Sequence, residues 1–121
     1  MIMPHFILKH SNSVLDKNVS YQQLFSEIAD VIEDQEFCDP KAIKCYLMNP
    51  TYSYLPARDM FIHCDLLILK RDNLEIINNK VKKIAEIIKN YFINSFNQDN
   101  EILSIEVRHM NKEDYHKGTI I

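Results

Sequence analysis

The chain has 121 residues and a formal net charge of -3, with 46% hydrophobic and 26% charged residues. This balance predicts one globular domain over residues 1–121 and argues against a disordered chain or two ordinary domains. No apolar run is long enough to cross a bilayer, and the first residues lack a cleavable signal design. We therefore expect a cytoplasmic protein without a membrane partner.

The first half of the chain predicts a short strand over residues 4–8 that opens with Pro4, a position where a missing N–H donor is tolerated. Ser20 is a candidate N-cap for a helix that begins at Tyr21 and ends by Phe37. The apolar stripe of this helix is formed by Tyr21, Leu24, Phe25, Ile28, Val31 and Ile32.

A second strand is predicted over residues 42–48, followed by a proline-containing loop over residues 49–58 that is the longest irregular piece. Residues 60–69 then form an almost continuous apolar run, which is typical of a strand buried on both faces. Two helices can cover only one face of such a sheet. The other face is therefore expected to pack on a second copy of the chain, so we predict a homo-oligomer.

An amphipathic helix follows this strand, with Asp72 as its candidate N-cap and Glu75 reaching back to form a capping box. Its apolar stripe is formed by Leu74, Ile77, Val81, Ile84, Ile88 and Tyr91. The last strand, over residues 103–109, alternates strictly. Leu103, Ile105 and Val107 share one face, and Ser104, Glu106 and Arg108 share the other.

The predicted order is strand, helix, strand, strand, helix, strand, which places the chain in the α/β (α+β) class. We expect two βαβ halves that form a four-stranded mixed sheet with both helices on one face. The same order occurs in the ferredoxin-like fold, which hosts RNA-recognition modules and small-ligand regulators. The strands carry no glycine-punctuated row of aromatic residues and the net charge is negative, so we expect no nucleic-acid partner.

The three cysteines, Cys38, Cys45 and Cys64, are an odd number at spacings that match no zinc module. We predict buried, reduced thiols. His63 and Cys64 are neighbours on a predicted strand, and neighbouring strand residues point to opposite faces. The sequence therefore predicts no metal site.

The segments that follow, taken together and in order, resemble the 5-carboxymethyl-2-hydroxymuconate isomerase family of the tautomerase superfamily. They are the Pro-His-Phe-Ile start at residues 4–7, Phe-Ile-His at residues 61–63, Leu-Ser-Ile-Glu-Val at residues 103–107 and Lys-Gly-Thr-Ile at residues 117–120. The resemblance implies a tautomerase-like fold, a homotrimer, no cofactor and a place in aromatic compound catabolism. It also implies keto-enol or 1,3-proton transfer on an unsaturated 2-oxo or 2-hydroxy dicarboxylate.

The resemblance assigns the role of general base to Pro4, as an amino-terminal secondary amine. Lys44 stands where the family has an arginine on the second strand, and Arg71 stands near the family arginine at the entrance to the second helix. Both would hold substrate carboxylates. The alternative for Lys44 is a solvent-facing strand residue, and the alternative for Arg71 is a surface ion pair with Asp72.

Three residues, Met1, Ile2 and Met3, precede Pro4 in this sequence. A proline nitrogen inside a peptide bond has no basic lone pair, so the catalytic hypothesis requires translation from Met3 and removal of that methionine. If Pro4 stays blocked, the chain is instead a catalytically silent, tautomerase-like interaction protein.

Overall fold

The computed structural model describes residues 4–33, 42–56, 60–69, 73–97, 101–111, 113 and 116. The described residues form four strands and two α-helices, with a 3₁₀ helix, Ser95–Asn97, before the last strand. In chain order these are β1 (His5–His10), α1 (Tyr21–Ile32), β2 (Lys44–Leu47), β3 (Ile62–Leu69), α2 (Leu74–Tyr91) and β4 (Leu103–Met110). The predicted βαββαβ order is confirmed.

The strands form one sheet in the order β2-β1-β3-β4. β1 is parallel to β2, β3 is parallel to β4, and the central pair of β1 and β3 is antiparallel. Each half is thus a compact strand-helix-strand unit whose two strands are neighbours. In the ferredoxin-like fold the βαβ units are split, so the ferredoxin-like alternative is wrong for this chain.

The observed strands begin and end at different residues from the predicted ones, and strand pairing explains these differences. β1 continues two residues past Leu8 because Lys9 and His10 still pair with His63 and Ile62 of β3. β2 is shorter than residues 42–48 because its ladder with β1 covers only four residue pairs. The end of a strand depends on the neighbour that supplies hydrogen bonds, which local sequence does not contain.

Both helices lie on one face of the sheet. Phe6 and Leu8 of β1 and Cys64 of β3 point to that face and are completely buried. Leu24 and Ile28 of α1, together with Ile84, Ile88 and the following Phe92, complete the core. The two helical stripes were predicted from their periodicity, and their central residues are the buried ones.

The face of the sheet that neither helix covers is called the open face below. Its residues are His5, Ile7, Lys9, Lys44, Tyr46, Met48, His63, Asp65, Leu67, Ser104, Glu106 and Arg108. The predicted alternation of β4 is confirmed, with Ser104, Glu106 and Arg108 exposed. The prediction that β3 is apolar on both faces is wrong, because His63 and Asp65 share its open-face side with Leu67.

Helix α1 begins as predicted, since the Ser20 side chain accepts a hydrogen bond from the backbone N–H of Gln23 at 3.4 Å. It ends at Ile32, within the predicted limit of Phe37. Lys80 of α2 donates to the carbonyl oxygens of Ile32 and Glu33, at 3.1 and 3.4 Å. A lysine at this point satisfies carbonyl groups that a helix end leaves without partners.

The N-cap of α2 is Asn73 and not the predicted Asp72. The Asn73 side chain accepts from the backbone N–H of Ile76 at 3.2 Å, three residues further on. Both residue types are good caps, and the choice follows from the helix beginning at Leu74. Glu75 still lies in the first turn, where a negative charge is favourable. None of the described helices has the length and apolar character needed to cross a membrane.

Candidate active site

Pro4 lies immediately before β1 and is buried. Its carbonyl oxygen accepts a hydrogen bond from the backbone N–H of Lys44, at 3.1 Å. This bond opens the parallel ladder of β1 and β2, so it holds the backbone of Pro4 against the start of β2. The antiparallel register, in which His5 pairs with Leu67, brings the end of β3 to the same edge of the sheet.

Lys44 is the register partner of His5 and is exposed on the open face. Tyr46, two residues along β2, lies on the same face because strand side chains alternate. The ring of Tyr46 meets the His5 ring edge-on, with centroids 6.0 Å apart and planes at 89°. The described chain therefore brings His5, Lys44 and Tyr46 together beside Pro4, and sequence reasoning had singled out only Lys44 among these three.

Arg71, the second predicted cationic residue, lies outside the described residues, as does Asp72. Its described neighbours are Leu69, the last residue of β3, and Asn73, the N-cap of α2. The chain therefore leaves β3 at the edge of the sheet where Pro4 lies. The role of Arg71 stays a prediction.

An ionic cluster that the sequence analysis missed occupies the middle of the open face. Asp65 is only 3% exposed although no helix covers it. Lys9 lies 3.0 Å from one of its carboxylate oxygens, and His63 Nε2 lies 3.0 Å from the other. Burial alone would raise the pKa of Asp65, but the hydrogen bonds from Lys9 and His63 and the charge of Lys9 outweigh it, and its pKa is lowered.

His63, Asp65 and Glu106 are the described side chains closest to a metal-binding geometry, with ligand atoms within 4.8 Å of one another. The two carboxylates already have cationic partners. Lys9 pairs with Asp65, and Arg108 lies 3.3 Å from Glu106 and 3.8 Å from Asp65. The arrangement is better suited to an ion-pair network than to a cation, because the positive charge that a metal would supply is present in side chains.

The opposite end of the sheet is built around His10, a buried histidine. Its Nδ1 lies 2.8 Å from the carbonyl oxygen of Ser11, and its Nε2 lies 2.7 Å from the Tyr21 hydroxyl. The predicted proline-containing loop over residues 49–58 starts here, since Asn49 Oδ1 accepts from the backbone N–H of His10. The described part of that loop, residues 49–56, therefore begins at the end of β1 opposite to Pro4. Tyr52 in this loop is 92% exposed.

The described thiols are free, as predicted, but only Cys64 is buried and Cys45 is partly buried. Cys45 and Cys64 are free, and Cys38 lies outside the described residues. Burial raises the pKa of Cys45 to about 11. Burial, with the nearby charge of Asp65, raises the pKa of Cys64 still further. Cys64 points to the helix side while His63 points to the open face, so these two residues form no joint site.

Comparison with known proteins supports the geometric picture. The family model of 5-carboxymethyl-2-hydroxymuconate isomerase matches residues 4–121, so the match begins at Pro4. A solved 5-carboxymethyl-2-hydroxymuconate isomerase from Deinococcus radiodurans R1 is similar with a TM-score of 0.80 and 17% identity, covering 98% of this chain and 90% of that one. None of the curated proteins gives a significant match.

Two further solved structures share the fold. A 5-carboxymethyl-2-hydroxymuconate delta-isomerase has a TM-score of 0.68 at 10% identity, with 98% of this chain and 88% of that chain covered. A fused 4-OT described as a symmetric trimer has a TM-score of 0.72 at 7% identity, with 97% and 94% covered. The predicted tautomerase-like arrangement of two βαβ halves is thereby confirmed.

Proposed function

The chain belongs to the 5-carboxymethyl-2-hydroxymuconate isomerase family, and we propose that it catalyses keto-enol or 1,3-proton transfer on an unsaturated 2-oxo or 2-hydroxy carboxylate. 5-Carboxymethyl-2-hydroxymuconate is the model substrate for this proposal. Pro4 is the proposed general base, acting as an amino-terminal residue and without a cofactor. The observation that carries the proposal is the position of Pro4, buried at the start of a central strand and at the first residue of the family match.

The chemistry depends on the environment of the prolyl nitrogen. An amino-terminal proline is a secondary amine, and burial disfavours its charged form, which lowers its pKa toward neutrality. A base whose pKa lies near the working pH can both accept and return a proton. The hydrogen bond from the Lys44 backbone N–H to the Pro4 carbonyl oxygen restrains the backbone of Pro4 at the start of β1.

A carboxylate substrate needs cationic partners, both to bind and to stabilise the enolate-like state. Lys44 and Arg71 are the proposed partners. Lys44 is the register partner of His5 on the open face, and His5 directly follows Pro4. Changing Arg71 to Ala is expected to weaken turnover of a keto-enol substrate while leaving the assembly intact, because the change removes a positive charge that is proposed to hold a substrate carboxylate.

We also propose that the protein is a homotrimer. The open face leaves Met48 53% exposed, in a sheet whose other face packs against both helices. The structurally similar fused 4-OT is described as a symmetric trimer. Light scattering at micromolar concentration should therefore give a mass of about three chains, and a monomer would remove this part of the proposal.

The second candidate function is a catalytically silent interaction protein, which the sequence Met1-Ile2-Met3 ahead of Pro4 favours if it is retained. The two functions differ in the chemical state of one nitrogen. In the silent form Pro4 is an amide, and an amide nitrogen cannot take a proton from the substrate at neutral pH.

The experiment compares two forms of the protein, one that begins at Met1 and one that begins at Pro4. Methionine removal generally needs a small second residue, so translation from Met3 should yield Pro4 and translation from Met1 should not. Intact mass establishes each terminus, and absorbance follows ketonisation of a simple 2-hydroxydienoate. The Pro4 form should accelerate the reaction and the Met1 form should do so feebly or not at all. Equal rates would show that Pro4 is not the base.

A further inference from the structure

The side chains beside Pro4 on the open face form a patch of different chemistry from the rest of the sheet. His5 follows Pro4 directly and is partly exposed, Lys44 is its register partner, and Tyr46 lies against its ring. The ionic cluster around Asp65 lies further along the sheet and includes Lys9 but none of these three residues. The imidazole of His5 is therefore a polar group beside the proposed base to which no role has been assigned.

We propose that His5 is a second substrate-binding residue, which together with Lys44 holds the carboxylate of a 2-oxo acid, and that Tyr46 is the positioning residue for its ring. This inference rests on the proposed function and specifies which residues of that site contact substrate. The substrate class is a 2-oxo or 2-hydroxy carboxylate whose carboxylate lies on the open face, at the end of the sheet where the backbone nitrogen of Pro4 lies.

The argument starts from the lysine. An arginine guanidinium binds a carboxylate through two parallel N–H groups in one plane, whereas a lysine ammonium acts as a point charge. Lys44 alone therefore neutralises a carboxylate without orienting it. His5 offers an N–H donor from the adjacent strand, at the position paired with Lys44 in the parallel ladder. The pair can provide two contacts from two directions, which a single lysine cannot.

The contact with Tyr46 gives the His5 ring a defined orientation. Tyr46 lies on β2, on the same face as Lys44, and its ring stands at 89° to the imidazole with a centroid separation of 6.0 Å. An edge-to-face contact at this distance is favourable and restricts rotation of both rings. Tyr46 thus acts on the substrate through His5. By restricting rotation of the His5 ring, it keeps the imidazole N–H directed at the carboxylate.

The test uses proteins that begin at Pro4. His5→Ala should raise KM by roughly tenfold with little change in kcat, as expected when a hydrogen bond to a charged group is lost equally from substrate and transition state. His5→Gln, which keeps an N–H donor, should restore part of the loss. Tyr46→Ala should raise KM less than His5→Ala, and Tyr46→Phe should rescue most of that effect because the ring remains.

A double variant separates positioning from an independent contribution. If Tyr46 acts through His5, the variant with both residues changed to Ala should have the KM of His5→Ala alone. If the increases in KM of the two single variants multiply in the double variant, the positioning role of Tyr46 is overturned. If His5→Ala has the same KM as the unchanged protein, the binding role of His5 is overturned. His63→Gln is the control on the same face, four residues from the partner of His5 in β3, and it should leave KM unchanged.

A binding measurement separates this inference from the proposed function. Titration with 2-oxopentanoate, a saturated 2-oxo acid, should shift one histidine ring resonance in a saturable way, and that resonance should be missing from the spectrum of His5→Ala. If this shift occurs while no form of the protein turns over the dienol, the isomerase proposal fails and the binding role of His5 stands. If turnover occurs and no ring resonance of His5 responds, the binding role is wrong.

Discussion

Asp16 connects two parts of the chain that are far apart in sequence, and its replacement tests how the fold is held together away from the site. Its carboxylate accepts hydrogen bonds from the backbone N–H groups of Asn94 and Ser95, at 3.3 and 3.0 Å. It also accepts from the Asn94 amide and the Ser95 hydroxyl, both at 2.8 Å. These bonds join the loop after β1 to the start of the 3₁₀ helix that precedes β4.

The expected loss of stability follows from how deeply the hydrogen-bond partners of Asp16 are buried. Asn94 is exposed, so its donors can bond to water when Asp16 is removed, whereas Ser95 is completely buried. Asp16→Ala removes the acceptor of the Ser95 hydroxyl, whereas the Ser95 N–H keeps the Phe92 carbonyl oxygen as a second acceptor at 2.9 Å. A hydrogen bond to a charged group contributes about 1.5–3 kcal/mol, so loss of the buried Ser95 hydroxyl bond should lower the free energy of unfolding by about 2 kcal/mol. For a domain of this length, that loss corresponds to a decrease in Tm of about 8 °C.

The effect should depend on pH in a defined direction. Burial alone would raise the pKa of Asp16, but the hydrogen bonds from Ser95 and Asn94 outweigh it, so its pKa is lowered from the ordinary value of 3.8. A carboxylate with a lowered pKa in the folded state stabilises the fold above its ordinary pKa, and this stabilisation is lost as the pH falls through the folded pKa. The difference between the unchanged protein and Asp16→Asn should therefore be constant near pH 6 and shrink below pH 3.8.

Urea titration followed by circular dichroism, at equal protein concentrations, measures these differences. Asp30→Ala, which removes an exposed carboxylate from α1, is the matched control and should change stability by less than about 0.5 kcal/mol. The reasoning is refuted if Asp16→Ala costs no more than Asp30→Ala. It is also refuted if the loss in Asp16→Asn is undiminished at a pH well below 3.8.

Three further predictions follow from the described contacts. Asp65→Asn should lower the free energy of unfolding by about 1–2 kcal/mol at pH 7, and the loss should fade in acid because the pKa of Asp65 is lowered in the fold; an undiminished loss at pH 2 would contradict this. Lys80→Met should cost about 1 kcal/mol in urea titration because it removes the donor to the last carbonyl groups of α1, with the exposed Lys83→Met as control. Cys45, with a pKa raised to about 11, should react slowly with a disulfide reagent at pH 7, and Cys64 should react only after unfolding; prompt native labelling of Cys64 would show that the core admits the reagent.

Much of the fold is readable from local patterns in the sequence. The helix stripes of α1 and α2 recur every three or four residues, and their buried members are the ones that periodicity selects. The alternation of β4 correctly divided Leu103, Ile105 and Val107 from Ser104, Glu106 and Arg108. These predictions held because side-chain direction in a regular element is determined by the backbone geometry of that element alone.

The tertiary structure decided what depends on residues distant in the chain. Local sequence left open whether β2 would lie beside β1 or a βαβ unit would be split, and the parallel ladder of residues 5–8 with residues 44–47 resolved the choice. The apolar run of β3 predicted apolar side chains on both faces, yet the charged Asp65 is buried on the open face, where Lys9 from another strand supplies its counter-charge. Burial of a charge depends on its partner, and a pattern within one strand contains no information about that partner.

Some features of the candidate site could likewise be predicted from the sequence, and others depended on the tertiary structure. Pro4 could be singled out from the sequence, because the resemblance of residues 4–7 to the start of the family assigns it the role of base. The placement of His5 against Tyr46 could not, since it depends on the register of β1 with β2, and these strands are separated in the chain by α1. The link from Asp16 to Ser95 likewise spans 79 positions. The chemical type of each residue can be read from the sequence. Which residues lie close together depends on how the helices and the sheet pack into one core.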